Sequence, residues 1–177
     1  VGQAIGRVDP SVSTSWQSHD NLCVNNLYQN GNEFQRRKYL PGLTDGSHVG
    51  AIGITEPNAG SDALGGMAMT AVRDGDAYLL NGSKTYITNG PIADVVLVYA
   101  KTAPALGKKG ISAFIVERTF GGFSSSLPFD KMGIRASPTG ALYFDDCRVP
   151  VENLVGEENK GVAVMMSGPS SNACFVR

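Results

Sequence analysis

The apolar residues follow two different rhythms, and the change between them divides the chain. From Asp9 to Leu40 they recur every three or four positions, the period of one helix face. Val12, Trp16, Cys23 and Leu27 fall on such a face, with His19 beside them. Asp9 followed by Pro10 is a helix start signal, because a first-turn proline gives up a donor that the helix does not use. Gly31 is placed to end this helix. A second helix is predicted over "NEFQRRKYL". Asn32 can cap it, Phe34, Tyr39 and Leu40 can face a core, and Pro41-Gly42 should stop it.

From Ser47 the runs become short, apolar or alternating, with Gly, Pro, Asn and Asp between them. They are "HVGAIGI", "GMAMTAV", "AYLLN", "KTYIT", "DVVLVYAK", "ISAFIVE" and "GALYFDD". Asp74-Gly75 and Asn81-Gly82 read as hairpin turns. So many short strands joined by turn chemistry predict an antiparallel barrel or sandwich. Helical spacing returns in "ENKGVAVMMSG", through Val162, Val164 and Met165. The expected class is α+β: two N-terminal helices, an antiparallel β-barrel and the start of another helix. Neither end closes an element, so the chain is expected to be part of something longer.

Composition narrows the function. The 177 residues are 42% hydrophobic and 18% charged, which is globular. Net charge is −1 and no basic block exceeds "RRK" at Arg36 to Lys38, so no nucleic-acid footprint is expected. No apolar run reaches the roughly 20 residues of a membrane helix, and no signal peptide opens the chain. Cys23, Cys147 and Cys174 are odd in number and scattered, which fits reduced thiols. His19 and His48 lack the spacing of zinc ligands.

Two stretches can carry chemistry. "GITEPNAGSD", Gly53 to Asp62, follows a predicted strand and holds no Lys, Arg or His. Gly60 and Ala59 permit close backbone approach, and Thr55 and Ser61 offer hydroxyls. Such a loop can cradle a phosphate on its amides. It can equally be a polar turn in which Glu56 or Asp62 accepts from backbone amides. In "KTYITNG", Lys84 to Gly90, Tyr86 and Thr88 alternate to one side and Ile87 to the other. A ring and a hydroxyl on one face suit a flat heteroaromatic ligand, or form an ordinary cross-strand pair. "GKKG" at Gly107 to Gly110, Arg135, and the Asp145-Asp146 pair read as solvated loop, local ion pair and surface turn.

In this order and spacing, the two stretches resemble the acyl-CoA dehydrogenase family, closest to its isovaleryl-CoA and short-branched-chain members. "GITEPNAGSDALG" matches the family's first signature at every position from Gly53 to Gly65, and "NGSKTYITNG" resembles the second block, with Tyr86 where Trp is usual. "KYLPGLTDGSHVGAIGITEP" resembles the link between the family's helical and β domains. The resemblance reaches Gly168 and implies domains at 1–46 (end of an N-terminal helical domain), 47–156 (middle β-barrel) and 157–177 (start of a truncated C-terminal helical domain). It implies FAD as cofactor. The flavin-contacting residues it implies are Ile52, Gly53, Ile54, Thr55, Glu56, Pro57, Asn58, Ala59, Gly60 and Ser61, with Tyr86, Ile87 and Thr88. Ser61 would also lie beside the substrate. The implied reaction is Cα–Cβ dehydrogenation of a short or branched acyl-CoA, with electrons leaving to an electron-transferring flavoprotein. A homotetramer in the bacterial cytoplasm or mitochondrial matrix is implied too.

The tail departs from the pattern. After "MSG" comes "PSSNACFVR", with no acid beyond Glu158 and with Pro169 where the helix should continue. No catalytic base is therefore identified, and the chain alone is expected to bind FAD weakly or not at all. The alternatives are a non-catalytic β-barrel binding or assembly module, and a flavin oxidase or monooxygenase on the same fold.

Overall fold

The computed structural model describes residues 1–167. Its helices are α1 (Gly2–Val8), α2 (Pro10–Gln17), α3 (Asn25–Asn30) and α4 (Glu33–Asp45). The Asp9 carboxylate accepts from the amides of Ser11 (2.7 Å) and Val12 (3.4 Å), capping α2. α4 opens on a full capping box: Asn32 Oδ1 accepts from Gln35 N and Gln35 Oε1 accepts from Asn32 N. Gly31 closes α3.

Three helix expectations need correction. Ser18–Val24, between α2 and α3, winds as a π-helix. Its wider turn breaks the 3.6-residue period, so Val12 lies exposed while Cys23 and Leu27 are buried. α4 buries Gln35, Tyr39 and Leu43, one turn apart, and Phe34 stays outside with the Lys38 ammonium 5.7 Å from its ring. Pro41 does not stop α4. The Thr44 hydroxyl donates to the carbonyls of Leu40 and Pro41 and holds the last turn, and the helix ends at Gly46, in the left-handed region at φ 83°.

The strands are β1 (Gly50–Gly53), β2 (Thr70–Asp74), β3 (Ala77–Thr88), β4 (Val95–Lys101), β5 (Ile111–Glu117), β6 (Phe123–Ser125), β7 (Thr139–Pro150) and β8 (Leu154–Val155). They form one eight-stranded sheet in the order β6-β7-β3-β2-β4-β5-β8, with β1 also on β4. The sheet is mixed and open, not an antiparallel barrel. β1 runs parallel to β4 from Gly50↔Val95 to Gly53↔Val98, because the chain leaves β1 through a long loop and a hairpin before returning as β4. β2 shares that edge of β4 only at Thr70↔Lys101, and no pairing joins β6 to β8.

β4 and β5 are apolar throughout because both faces are covered. Val96, Val98, Ala100, Phe114 and Val116 face a core shared with β3 and β7, where Tyr78 and Phe114 meet at 4.9 Å. Val95, Leu97, Tyr99, Ile111 and Ile115 face Cys23, Leu27, Tyr39 and Leu43 of the helices. Fully buried Gln35 docks α4 by donating Nε2–H to the carbonyls of Glu152 and Leu154. α5 (Gly161–Ser167) follows β8; the tail with Pro169 and Cys174 lies outside the described residues.

Asp74-Gly75 does open the β2–β3 hairpin, with Gly75 at φ 59°. Asn81-Gly82 does not make a turn: β3 runs unbroken from Ala77 to Thr88. Gly82, at φ 139°, instead sits where the register against β7 slips, and Asn81 exchanges two hydrogen bonds with Asp146 across the irregularity. Glycine is required there, since a Cβ would stand 3.0 Å from the Met69 backbone.

Candidate cofactor site

Ile52 and Gly53 end β1, paired with Leu97 and Val98 of β4. Ile54 and Thr55 leave the sheet half-buried. Glu56 and Ala59 then exchange backbone hydrogen bonds of 3.2 and 3.1 Å, closing a tight turn with Pro57 and Asn58 exposed at its tip. Ala59 points inward, and Gly60 and Ser61 lie exposed beyond it. Asp62 accepts from Gly65 N at 3.1 Å, so the local polar-turn reading holds for this residue.

The Glu56 side chain turns away from this surface. It is buried, and its Oε2 accepts from Ala68 N (2.6 Å) while Oε1 accepts from Met69 N (3.0 Å) and from Lys84 Nζ (2.9 Å). Lys84 is fully buried and also donates to the Ile54 carbonyl at 3.1 Å. Burial pulls the Lys84 ammonium down from its ordinary value to about 8, against the attraction of the Glu56 carboxylate.

The second segment lies against the first. Thr85 N donates to the Thr55 carbonyl at 2.9 Å. Between Lys84↔Leu142 and Ile87↔Gly140, β3 spends one more residue than β7, which bulges Thr85 and Tyr86 outward. Tyr86 takes φ 57°, a strained setting for an aromatic residue, and is 71% exposed, edge-on to Phe129 at 5.8 Å. Ile87 points the other way into the core, and Thr88 pairs with Thr139, half-buried.

The structure thus joins the Thr55 and Tyr86–Thr88 segments edge to edge, with Gly60 and Ser61 on the loop that continues from them. Among the described residues, no protein group hydrogen-bonds the hydroxyls of Thr55, Ser61 or Thr88. A Cβ built on Gly60 would meet nothing within 4 Å, so the backbone there is open to approach. A shallow cavity of about 190 Å³ lies beside the ledge, lined by the Glu56–Asn58 turn, Ala68, Met69, Gly82 and Ser83. The surface offers hydroxyls, an aromatic face and loop backbone, with the nearby carboxylate and ammonium neutralising each other beneath it. It can bind and orient a flat polar ligand.

Two residues escaped the sequence reading. Lys84 was hidden because a lysine in an alternating strand reads as a solvent-facing position. Asn89, at φ 64°, is buried beside Thr88; its Nδ2–H donates to the Ser15 carbonyl of α2 at 2.9 Å, and its amide to the Pro138 carbonyl at 2.7 Å. The only hint in the sequence is that asparagine tolerates the left-handed region.

Comparison with known proteins gives consistent matches. Residues 51–147 match the model of the acyl-CoA dehydrogenase middle domain, and residues 1–47 that of the acyl-CoA dehydrogenase N-terminal domain. A mitochondrial isovaleryl-CoA dehydrogenase of Pongo abelii is 51% identical over 170 residues, 95% of this chain and 40% of that protein. A solved acyl-CoA dehydrogenase from Geobacillus kaustophilus superposes with a TM-score of 0.90 at 39% identity, covering 94% of this chain and 44% of that one. A chain in the structure described as the electron transferring flavoprotein of Acidaminococcus fermentans matches with a TM-score of 0.87 at 45% identity, over 90% of this chain and 42% of that one. The chain spans about 40% of the length of the curated relatives it matches.

Proposed function

The chain belongs to the acyl-CoA dehydrogenase family, and we propose that it supplies one wall of the FAD site in an enzyme that dehydrogenates a short or branched acyl-CoA at Cα–Cβ. The family's cofactor is FAD. The observation that carries the reading is the ledge itself: the Thr55 and Tyr86–Thr88 segments are fastened together by Thr85 N–H to Thr55 C=O, and their hydroxyls have no other partner among the described residues.

The residues fit the group. An isoalloxazine is flat, with two aromatic faces and a polar edge, and needs packing plus neutral donors and acceptors. Tyr86 offers the packing surface, and the hydroxyls of Thr55 and Thr88 the edge contacts. A pyrophosphate carries negative charge and would be repelled by a free carboxylate. Glu56 is turned inward onto Lys84 and two amides, which leaves Gly60 and Ser61 as an open, small, hydroxyl-bearing segment for it. Ser61 is assigned to the substrate side as well. When bound, FAD supplies the acceptor for the β-hydride of the acyl chain. The chain's own task is to orient that group on a surface of hydroxyls and backbone, where the one exposed carboxylate, Asp62, is held by the Gly65 amide. Glu56 does not serve as the base for the α-proton, because its oxygens are already engaged by three donors.

We assign electrons to an electron-transferring flavoprotein and the assembly to a homotetramer, in the mitochondrial matrix or bacterial cytoplasm. The mitochondrial isovaleryl-CoA relative supports the branched substrate and the location. No helix among the described residues is long and apolar enough to cross a membrane. The test titrates FAD into both the chain and the full-length protein that carries it, then adds short branched acyl-CoAs and a dye acceptor. Because the ledge is one open face, the chain alone should bind FAD weakly or not at all. The full-length protein should be yellow and turn over. A colourless full-length protein with no flavin absorbance would overturn the reading in favour of a binding or assembly module.

A further inference from the structure

The buried Lys84–Glu56 pair sits where the two ledge segments cross. Lys84 precedes Thr85, whose amide holds Thr55, and Glu56 follows Thr55. The Lys84 ammonium donates both to the Ile54 carbonyl, on one side of Thr55, and to the Glu56 carboxylate, on the other. That carboxylate also receives the amides of Ala68 and Met69, twelve and thirteen residues on, and so closes the base of the whole loop. The bulge that presents Tyr86 begins at the next residue of β3.

We propose that Lys84 and Glu56 are positioning residues that set the angle between Thr55 and the Tyr86–Thr88 bulge, and through it the orientation of the bound flavin. The inference rests on the FAD reading above. Lys84 is fully buried and Glu56 is 5% exposed, with both of its oxygens engaged inward, so their effect on the flavin passes through the backbone of Thr55 and Thr85. A general structural role would change stability and leave the flavin's environment alone.

The experiment uses the full-length protein that carries this chain. Lys84→Met alone strands a buried carboxylate and risks misfolding, so the decisive variant is the double Glu56→Gln/Lys84→Met, which is neutral and close in size. Glu56→Gln alone, which keeps an acceptor for one of the two loop amides, is measured beside it. Three quantities are read: thermal midpoint, FAD dissociation constant, and the visible circular dichroism of the bound flavin. The inference expects folded variants whose FAD dissociation constant rises about tenfold or more, equivalent to about 1.4 kcal/mol, with a changed flavin dichroism band. Folded variants with the parent's FAD affinity and dichroism sink the positioning role and leave the FAD assignment standing. A parent protein that takes up no FAD overturns both.

Discussion

Asn89 allows backbone strain and hydrogen bonding to be separated at the edge of the site. It holds φ 64° without being glycine, and it is 2% exposed. Its Nδ2–H donates to Ser15 O at 2.9 Å, with Gly50 O at a marginal 3.4 Å. Replacement by alanine removes the donor and strands the Ser15 carbonyl, costing about 1–2 kcal/mol. It also leaves a Cβ in the left-handed region without asparagine's local compensation, for about 1.5 kcal/mol more. Asn89→Gly loses the same hydrogen bond but carries no such strain; its extra freedom when unfolded costs about 0.5–1 kcal/mol. The two substitutions should therefore rank against the usual order, with glycine more stable than alanine by about 0.5–1 kcal/mol, because alanine gains only where its φ is permitted. Urea unfolding of the chain at neutral pH measures this, provided both variants share one m-value. On a chain of this length the gap corresponds to about 2 °C in Tm. Alanine matching or exceeding glycine would refute the left-handed setting of Asn89 and, with it, the way α2 is tied to the strand carrying Thr88.

Three other outcomes follow from the same contacts. Tyr86→Gly relieves an aromatic residue at φ 57°, so the variant should be as stable as the parent or more so within about 1 kcal/mol, yet bind FAD more weakly in the full-length protein; thermal melts and FAD titration read the two effects. Gln35→Leu strands the carbonyls of Glu152 and Leu154 and breaks the α4 capping box, for about 3 kcal/mol of lost stability; a loss under about 1 kcal/mol in urea would contradict the docking described. For Lys84, the folded value near 8 lies below the ordinary 10.5, so between them the unfolded chain holds a proton that the folded one has released, and stability rises with pH. Cys23 and Cys147, pushed up by burial to about 12 and about 11 from 9.0, act oppositely above pH 9. From pH 7.5 to 9 the parent should thus gain about 1 kcal/mol relative to the double variant Glu56→Gln/Lys84→Met; parallel stability curves for the two proteins would exclude it.

What the sequence disclosed was what is encoded within a few residues. The Asp9-Pro10 and Asn32 caps, the Asp74-Gly75 hairpin and the apolar runs of β4 and β5 are each set by neighbours along the chain. What escaped depended on partners far away or on a signal with two meanings. An Asn-Gly pair can serve a turn or a strand irregularity, and only β7 opposite, which carries one extra residue there, decides for the irregularity at Gly82. Pro41 reads as a stop, because the Thr44 hydroxyl that secures the last turn to the Leu40 and Pro41 carbonyls carries no signal of that use in the sequence. The π turn at Ser18–Val24 changes the period that would reveal it. Strands as short as β6 and β8, of three and two residues, leave no pattern to find. At the site, Thr55 and Tyr86 could be named separately, but the bond between their segments is a tertiary fact.

The ion pair under the ledge is the instructive case, because stability alone does not explain it. A buried pair of well-packed apolar side chains is often as stable as a buried salt bridge. Here an apolar pair would leave the Ala68 and Met69 amides and the Ile54 carbonyl without their partners, and the buried Met69 amide alone would cost about 1–3 kcal/mol unsatisfied. A carboxylate alone would satisfy the amides but strand a charge. The lysine cancels that charge and at the same time takes the carbonyl. The loop from Glu56 to Met69 can then be long, small and rich in exposed backbone at its rim, because its base is closed by the Glu56 carboxylate, which Lys84 of β3 neutralises. A rim without basic side chains and a neutralised pair beneath it are two sides of one requirement: the ledge must be rigid, with its one exposed carboxylate, Asp62, tied to the Gly65 amide.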